Sequence, residues 1–365
     1  MRIAQIAPLA EAVPPKGYGG TERVVSWLTE ELVSRGHDVT LFASGDSATG
    51  AELFPCVPRA LRLAGINDHT ASLLVMLDEV RRRAHNFDIL HFHTDLLQFP
   101  MFQSSLQVPV TTMHGRMDLP DFAPVYRAFP EMPLVSISLA QREPAPPGTN
   151  WTDNIHHGLP ASLCPFSPLG GSYLAFLGRI APEKRPDRAI EIAKRAGIPL
   201  RIAAKVDNAD RAYFHDVIEP LLAHPLVEFI GEIGEAEKPG FLGGALALLF
   251  PIDWPEPFGL VMIEAMSTGT PVIAWRVGSA PEVIDEGVTG FVVDSIDGAV
   301  QAVSRAATLS REVVRQQFSR RFTAERMADQ YVDLSERLLA KDLIDPVAAL
   351  MHPLHITQSV IPALR

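Results

Sequence analysis

The sequence predicts an α/β protein with two parallel sheets, each covered by helices. Three observations carry that reading. Short apolar runs alternate with amphipathic stretches in both halves. A segment at 159–171 containing Pro160, Pro165, Pro168, Gly170 and Gly171 separates the halves, and the alternation restarts at Tyr173. Strands that alternate with helices in this way lie parallel, because each helix carries the chain back across the sheet face.

In the first half the apolar runs place strands at 2–7, 38–43, 89–93, 108–113 and 134–138, with helices at 21–35 and 72–84. Thr21 is read as the N-cap of the first helix, Glu22 favours its first turn, and Arg35-Gly36 stops it. In the second half, strands fall at 173–177, 200–204, 227–230, 247–251, 272–275 and 291–293. Helices fall at 186–196, 209–222, 240–243, 260–267, 279–285 and 297–307, and one last helical stretch is read from 311 to 340. The tail after Lys341, with Pro346, Pro353 and Pro362, has no readable element. The expected division is 1–160, 161–320 and a helix with tail at 321–365.

With 365 residues, 47% of them hydrophobic, the chain is long enough for two such cores. A formal net charge of -11 argues against a nucleic-acid partner, which requires a basic face. No run approaches the ~18 uncharged apolar residues of a transmembrane helix. Met1-Arg2-Ile3 enters a strand at once, without the pattern of a signal peptide. The two cysteines, Cys56 and Cys164, fit reduced thiols, so a cytoplasmic location is expected. The run Arg81-Arg82-Arg83 reads as a solvated helix end, where cations complement the dipole.

The most informative stretch is Glu256-Pro257-Phe258-Gly259-Leu260-Val261-Met262-Ile263-Glu264. Pro257 keeps Glu256 extended, and Gly259 admits close approach of a ligand to the backbone. The helix read from Leu260 carries Glu264 one turn inside. A glycine-flanked helix start suits a diphosphate, and a carboxylate on either side suits hydroxyl groups. Together they describe a nucleotide sugar. Arg179 and Lys184 flank a strand-to-helix turn, where cations favour the charge gained by a departing diphosphate. No Asp-x-Asp occurs in the sequence, so no metal and no cofactor are expected.

These residues resemble the family-4 glycosyltransferases of the retaining type. The matching segments are Tyr18-Gly19-Gly20-Thr21-Glu22, His114-Gly115, Gly178-Arg179-Ile180-Ala181-Pro182-Glu183-Lys184, the Glu-x7-Glu block from Glu256 to Glu264, and Gly278-Ser279-Ala280-Pro281-Glu282. The resemblance implies a GT-B architecture, two Rossmann-like domains with parallel sheets facing a central cleft. It implies a donor on the C-terminal domain, an acceptor on the N-terminal domain and a last helix that crosses back. The sequence departs from the family pattern at Arg185, where a glycine commonly stands, and at Ala203-Ala204-Lys205, which replaces a glycine-containing strand end.

From the resemblance, Glu256, His114, Arg179 and Lys184 are the expected catalytic group. Gly19, Gly20, Phe258, Gly259, Leu260, Glu264, Gly234 and Lys205 are the expected donor contacts. His91 and His93, two apart on one strand face, are read as packing residues. Glu282 is read equally as a sugar contact and as a cap, and Asp118 as a loop carboxylate. The expected activity is retaining transfer of a hexosyl group from a nucleoside-diphosphate sugar, UDP favoured, to a hydroxyl acceptor. The alternative is another GT-B enzyme, such as a nucleotide-sugar epimerase or a phosphorylase. A nicotinamide-dependent dehydrogenase fits less well, because Gly19-Gly20 is not the dinucleotide fingerprint. Oligomeric state is not readable.

Overall fold

A computed structural model describes residues 1–344 apart from Tyr18. The tail expectation for 345–365 lies outside the described residues, as does Tyr18. The first sheet contains β1 (Arg2–Ile6), β2 (Asp38–Ser44), β3 (Glu52–Val57), β4 (Ile89–Phe92), β5 (Val108–Thr112), β6 (Leu134–Ser136) and β7 (Trp151–Asn154), in the order β3-β2-β1-β4-β5-β6-β7. The second contains β8 (Tyr173–Arg179), β9 (Leu200–Lys205), β10 (Val227–Gly231), β11 (Ala245–Phe250), β12 (Val272–Trp275) and β13 (Gly290–Val293), in the order β10-β9-β8-β11-β12-β13. Every pairing between these strands is parallel. In each sheet the order reverses beside its first strand, and sheets of this kind bind ligands at that crevice, outside the carboxyl ends of the strands.

The central strands are apolar on both faces, as fully covered parallel strands must be. Ala4, Ile6, Leu41 and Phe42 are fully buried in the first sheet, and Leu174, Ala175, Leu248 and Ala274 in the second. Strands β3 and β7 are absent from the expected set. Both lie at sheet edges, where Pro55 and the polar Thr152-Asp153 are tolerated and the apolar signal fades.

Four helix expectations need correction. Helix Gly20–Ser34 begins one residue early with Gly19 at its cap, so Thr21 sits inside the first turn and caps nothing. The stretch expected as one helix at 209–222 is a short α turn, a π segment at Phe214–Ile218 and a 3-10 turn at Glu219–Ala223. Pro220 removes an amide hydrogen there. The helix expected at 279–285 is one turn, Ala280–Val283, with Pro281 in it. The stretch expected at 311–340 is two helices, Arg311–Arg321 and Ala324–Ile344.

The break at Phe322-Thr323 is where the chain returns to the first half. The Leu159 amide donates to the Phe322 carbonyl at 3.0 Å, and the Ala324 amide donates to the Leu159 carbonyl at 2.9 Å. Gly158 permits this crossing, since a Cβ there would lie 2.1 Å from the Thr323 carbonyl oxygen. Beyond the break, Met327, Ala328, Tyr331, Leu334 and Leu338 pack into the core formed by Ile3, Val24, Leu28, Ile89 and Val108. Ile137 of the first half in turn packs with Phe250, Phe258 and Met262 of the second.

Candidate active site

The carboxyl ends of both sheets open on one cavity of about 820 Å³. Every residue expected at the site lines it: Gly19, Gly20 and His114 from the first half, and Arg179, Lys184, Lys205, Gly234, Glu256, Phe258, Gly259, Leu260 and Glu264 from the second. These residues come from six separate stretches of chain at the carboxyl ends of the strands, and the cleft between the sheets brings them together.

The loop carrying Glu256 is held from behind by the Gly278-Ser279 segment. The Ser279 amide donates to the Glu256 carbonyl at 3.1 Å, and the Ser279 hydroxyl donates to the Phe258 carbonyl. Gly278 has φ 56°, and a Cβ there would lie 2.5 Å from the Glu256 carbonyl oxygen, so only glycine fits. Gly259 then turns the chain with φ 80° into the helix Leu260–Ser267. The Phe258 ring is buried against His156, His157 and Phe322, leaving its backbone for the cavity. Leu260 reaches across to within 3.8 Å of where a Cβ on Gly20 would stand.

The cations at the site are each matched by carboxylates, which the sequence did not reveal. Lys184 is ion-paired with Glu256 and sits over the Trp254 ring, 5.1 Å from its centroid. Arg179 contacts Glu183 at 2.6 Å, Asp210 at 3.2 Å and Asp207 at 3.8 Å, and Lys205 contacts Asp207 at 2.9 Å. Glu264 is 4% exposed and accepts from Lys238 at 2.9 Å. Lys238 also meets Glu235 at 2.6 Å, and Glu235 meets Arg23 of the first half at 3.2 Å. A chain of alternating charge therefore runs from the helix Gly20–Ser34 across the cleft to Glu264. Burial by itself would lower the Lys238 ammonium, but Glu264 and Glu235 outweigh it and hold the pKa above its ordinary value. Lys238, Glu235 and Arg23 were missed because their meaning lies in distant partners. The one local cue was the charge run Glu235-Ala236-Glu237-Lys238 in the loop that follows β10 and enters the helix Lys238–Gly243.

On the first-half wall His114 is stacked on His157, ring centroids 5.2 Å apart. Burial lowers the His114 imidazole to about 3, and it drives His157 well below the ordinary value, with His114, His156 and Arg326 adding to the effect. Both rings are therefore neutral at pH 7. His157 also lines the cavity, although the pair His156-His157 carries no motif and is read from the sequence as packing. Glu22 is buried in the same wall, and burial raises its carboxyl.

Other candidates fall outside the cavity. Glu282 resolves as a structural clamp between the halves. It accepts from the Leu139 amide at 2.8 Å, the Ala140 amide at 2.6 Å and His156 at 3.2 Å. Burial raises its carboxyl, but these three bonds outweigh that and lower it. Asp118 pairs with Arg116 at 2.6 Å on the surface. Arg81, Arg82 and Arg83 pair with Asp78 and Glu79 at the end of their helix. His91 and His93, read from the sequence as packing residues, are buried and hydrogen-bonded, His91 to Gln5 and Thr112 and His93 to Gln5 and His114. Both cysteines are free thiols. Among the described residues no helix is long and apolar enough to cross a membrane.

Two family models match the chain in succession. Glycosyltransferase Family 4 matches residues 18–181, and Glycosyl transferases group 1 matches residues 166–322. Among curated proteins, the D-inositol 3-phosphate glycosyltransferase of Mycobacterium leprae is 33% identical over 39% of this chain and 38% of its own length. An uncharacterized 41.2 kDa protein in the cps region of Klebsiella pneumoniae is 30% identical over 44% of this chain and 45% of its own length. The chain thus spans less than half the length of these relatives. Solved structures match nearly end to end. AviGT4, a glycosyltransferase involved in avilamycin A biosynthesis, aligns with a TM-score of 0.72 at 23% identity, covering 93% of this chain and 98% of that one. Sucrose-phosphate synthase from Thermosynechococcus elongatus gives 0.73 at 19% identity over 93% and 99%. HepE of Anabaena in complex with UDP-glucose gives 0.65 at 18% identity over 93% and 100%. These likenesses show the fold, which is GT-B.

Proposed function

From a chain composed of a Glycosyltransferase Family 4 domain followed by a group 1 glycosyl transferase domain, we propose a retaining glycosyltransferase. It moves a hexosyl group from a nucleoside-diphosphate sugar to a hydroxyl acceptor. The observation that carries this reading is the meeting of Arg179, Lys184, Glu256 and Glu264 around one cavity. Arg179 and Lys184, with the helix start at Gly259-Leu260, bind the diphosphate and take up the charge it gains on departure. Their present carboxylate partners yield as phosphate oxygens arrive. Glu264 accepts from the ribose hydroxyls, and Glu256 orients the sugar or stabilises positive charge at its anomeric carbon. Lys205, Gly234 and the backbone of Phe258 and Leu260 complete the donor side, and His114 contacts the sugar near the reacting centre. Gly19 and Gly20 line the cavity from the first half and contact the donor there; the acceptor hydroxyl enters along the same half.

The departing phosphate oxygen deprotonates the acceptor on the same face, which retains configuration without a protein nucleophile. The likeness to HepE favours UDP as the base-bearing group. In this reading residues 1–160 serve the acceptor and 161–320 the donor, and the helix Ala324–Ile344 makes the crossing. No divalent metal takes part: the sequence has no Asp-x-Asp, and Arg179 and Lys184, once released from their carboxylate partners, supply the positive charge.

A thermal-shift screen with UDP-, GDP-, ADP- and TDP-sugars tests this. One nucleotide series raises the melting temperature, and its sugar is transferred to an acceptor at equal rates with and without EDTA. Failure of every nucleotide sugar to bind overturns the reading. Loss of turnover in EDTA, restored by magnesium, overturns metal independence alone.

A further inference from the structure

Behind the cavity wall a line of buried side chains runs from His114 to the last helix. His114 Nε2 lies 2.9 Å from His93 Nδ1, and His93 Nε2 lies 2.8 Å from Gln5 Oε1. Gln5 Nε2 lies 3.2 Å from His91 Nδ1. His91 Nε2 is 2.8 Å from Thr112 Oγ1, which is 2.8 Å from the Tyr331 hydroxyl. Gln5 is fully buried, and the strand register sets it beside His91.

The hydrogens on this line are fixed by what each atom can do. A neutral imidazole has one N–H and one bare nitrogen. The Gln5 carbonyl oxygen only accepts, so His93 carries its hydrogen on Nε2 and leaves Nδ1 bare. That bare nitrogen accepts from His114 Nε2–H. His114 Nδ1 is then bare, and it is a buried nitrogen with no hydrogen-bond partner. On the far side the Gln5 amide donates to His91, whose Nε2–H donates to Thr112. Reversing the one Gln5 amide would reverse each hydrogen between it and His114, and Nδ1 would become a donor. Thr112 and Tyr331 carry hydroxyls that serve in either sense, so the far end imposes no direction. Only Gln5 does.

We infer that Gln5 is a positioning residue which, acting through His93, holds His114 in the tautomer with a bare Nδ1. Nδ1 is shielded in this structure; once a donor in the cavity that His114 lines reaches it, a bare nitrogen accepts from a sugar hydroxyl and repels a phosphate oxygen. The first-half wall is thereby committed to the sugar and the opposite wall to the diphosphate. This consequence rests on the glycosyl-transfer reading; the tautomer does not.

The test uses protein with ¹⁵N-labelled histidine and long-range ¹H–¹⁵N correlation spectra at neutral pH, with His114→Gln to assign the signals. The wild-type protein shows His114 protonated on Nε2 and bare on Nδ1. Gln5→Glu keeps an acceptor toward His93 and, at a pH where His93 stays neutral, preserves that pattern at His114, while His91 loses the Gln5 donor and turns to donate from Nδ1. Gln5→Met removes it, so both tautomers of His114 appear, and kcat falls about tenfold while the donor KM is little changed. Wild-type His114 protonated on Nδ1 overturns the inference, as does a single wild-type tautomer in Gln5→Met. If the methionine variant fails to fold, the wild-type and Gln5→Glu spectra still decide. Absence of any sugar transfer would sink the functional reading and leave the tautomer result standing.

Discussion

Three buried imidazoles, His91, His93 and His157, and the half-buried His114 make the fold sensitive to mild acid, by an amount that follows from their titration. Burial lowers His91 and His114 to about 3, and it holds His93 and His157 well below the ordinary value, with neighbouring imidazoles adding to the effect. In the unfolded chain an imidazole titrates near ~6.5. The folded value is depressed, so below ~6.5 only the unfolded chain takes up these protons. The full contribution is present above that pH and is lost as pH falls toward 3. Between pH ~7.5 and ~5.5 each imidazole removes about 1.4 kcal/mol, and four remove about 5 kcal/mol. Glu22, whose carboxyl is raised mainly by burial, offsets a little of this. The loss is large against a typical stability of roughly 5–15 kcal/mol. Urea midpoints at the two pH values measure it, and His91→Gln reduces the difference by about 1.4 kcal/mol. Equal wild-type stability at both pH values, or an unchanged difference in His91→Gln, refutes the reasoning.

Three further outcomes follow from the geometry. Lys184→Met and Glu256→Gln each lower kcat by about a hundredfold or more while melting within a few degrees of wild type; near-normal rates in both would defeat the assigned roles. Arg185 stands at φ 53° in the left-handed region, at the position where the family commonly has glycine, tied to Asp187 and Asp253. Arg185→Gly is therefore more stable than Arg185→Ala by about 1 kcal/mol, and equal denaturation midpoints would contradict that backbone. Arg311 is 9% exposed and donates to the carbonyls of Ser167, Ala245 and Gly243 and to the Thr270 hydroxyl. Arg311→Met strands those buried acceptors and costs about 3 kcal/mol or more, a loss that Arg311→Lys recovers only in part because lysine lacks the planar fork.

Central strands such as β1, β8 and β12 were legible because burial on both faces leaves an apolar run that nothing else produces. The edge strands β3 and β7 were not, since an edge tolerates Pro55 and Asp153 and so loses that mark. The break at Phe322-Thr323 was hidden because helical periodicity continues on either side of it; its cause is Leu159, far away in the chain. At the site, Glu256 and Glu264 were readable because their own neighbours shape the backbone around them. The partner of Glu264 was not, because Lys238 lies 26 residues away and gains its meaning only where two loops meet. The link from His114 to Gln5 spans three strands, and no local pattern announces it.

Where a sugar nucleotide lies on this protein is decided by crystals soaked with UDP-glucose. Diphosphate density is expected between Arg179, Lys184 and the helix start at Leu260, with the ribose hydroxyls on Glu264 and the hexose between Glu256 and His114. Density for the nucleotide elsewhere on the protein, with Arg179 and Glu264 untouched, contradicts it.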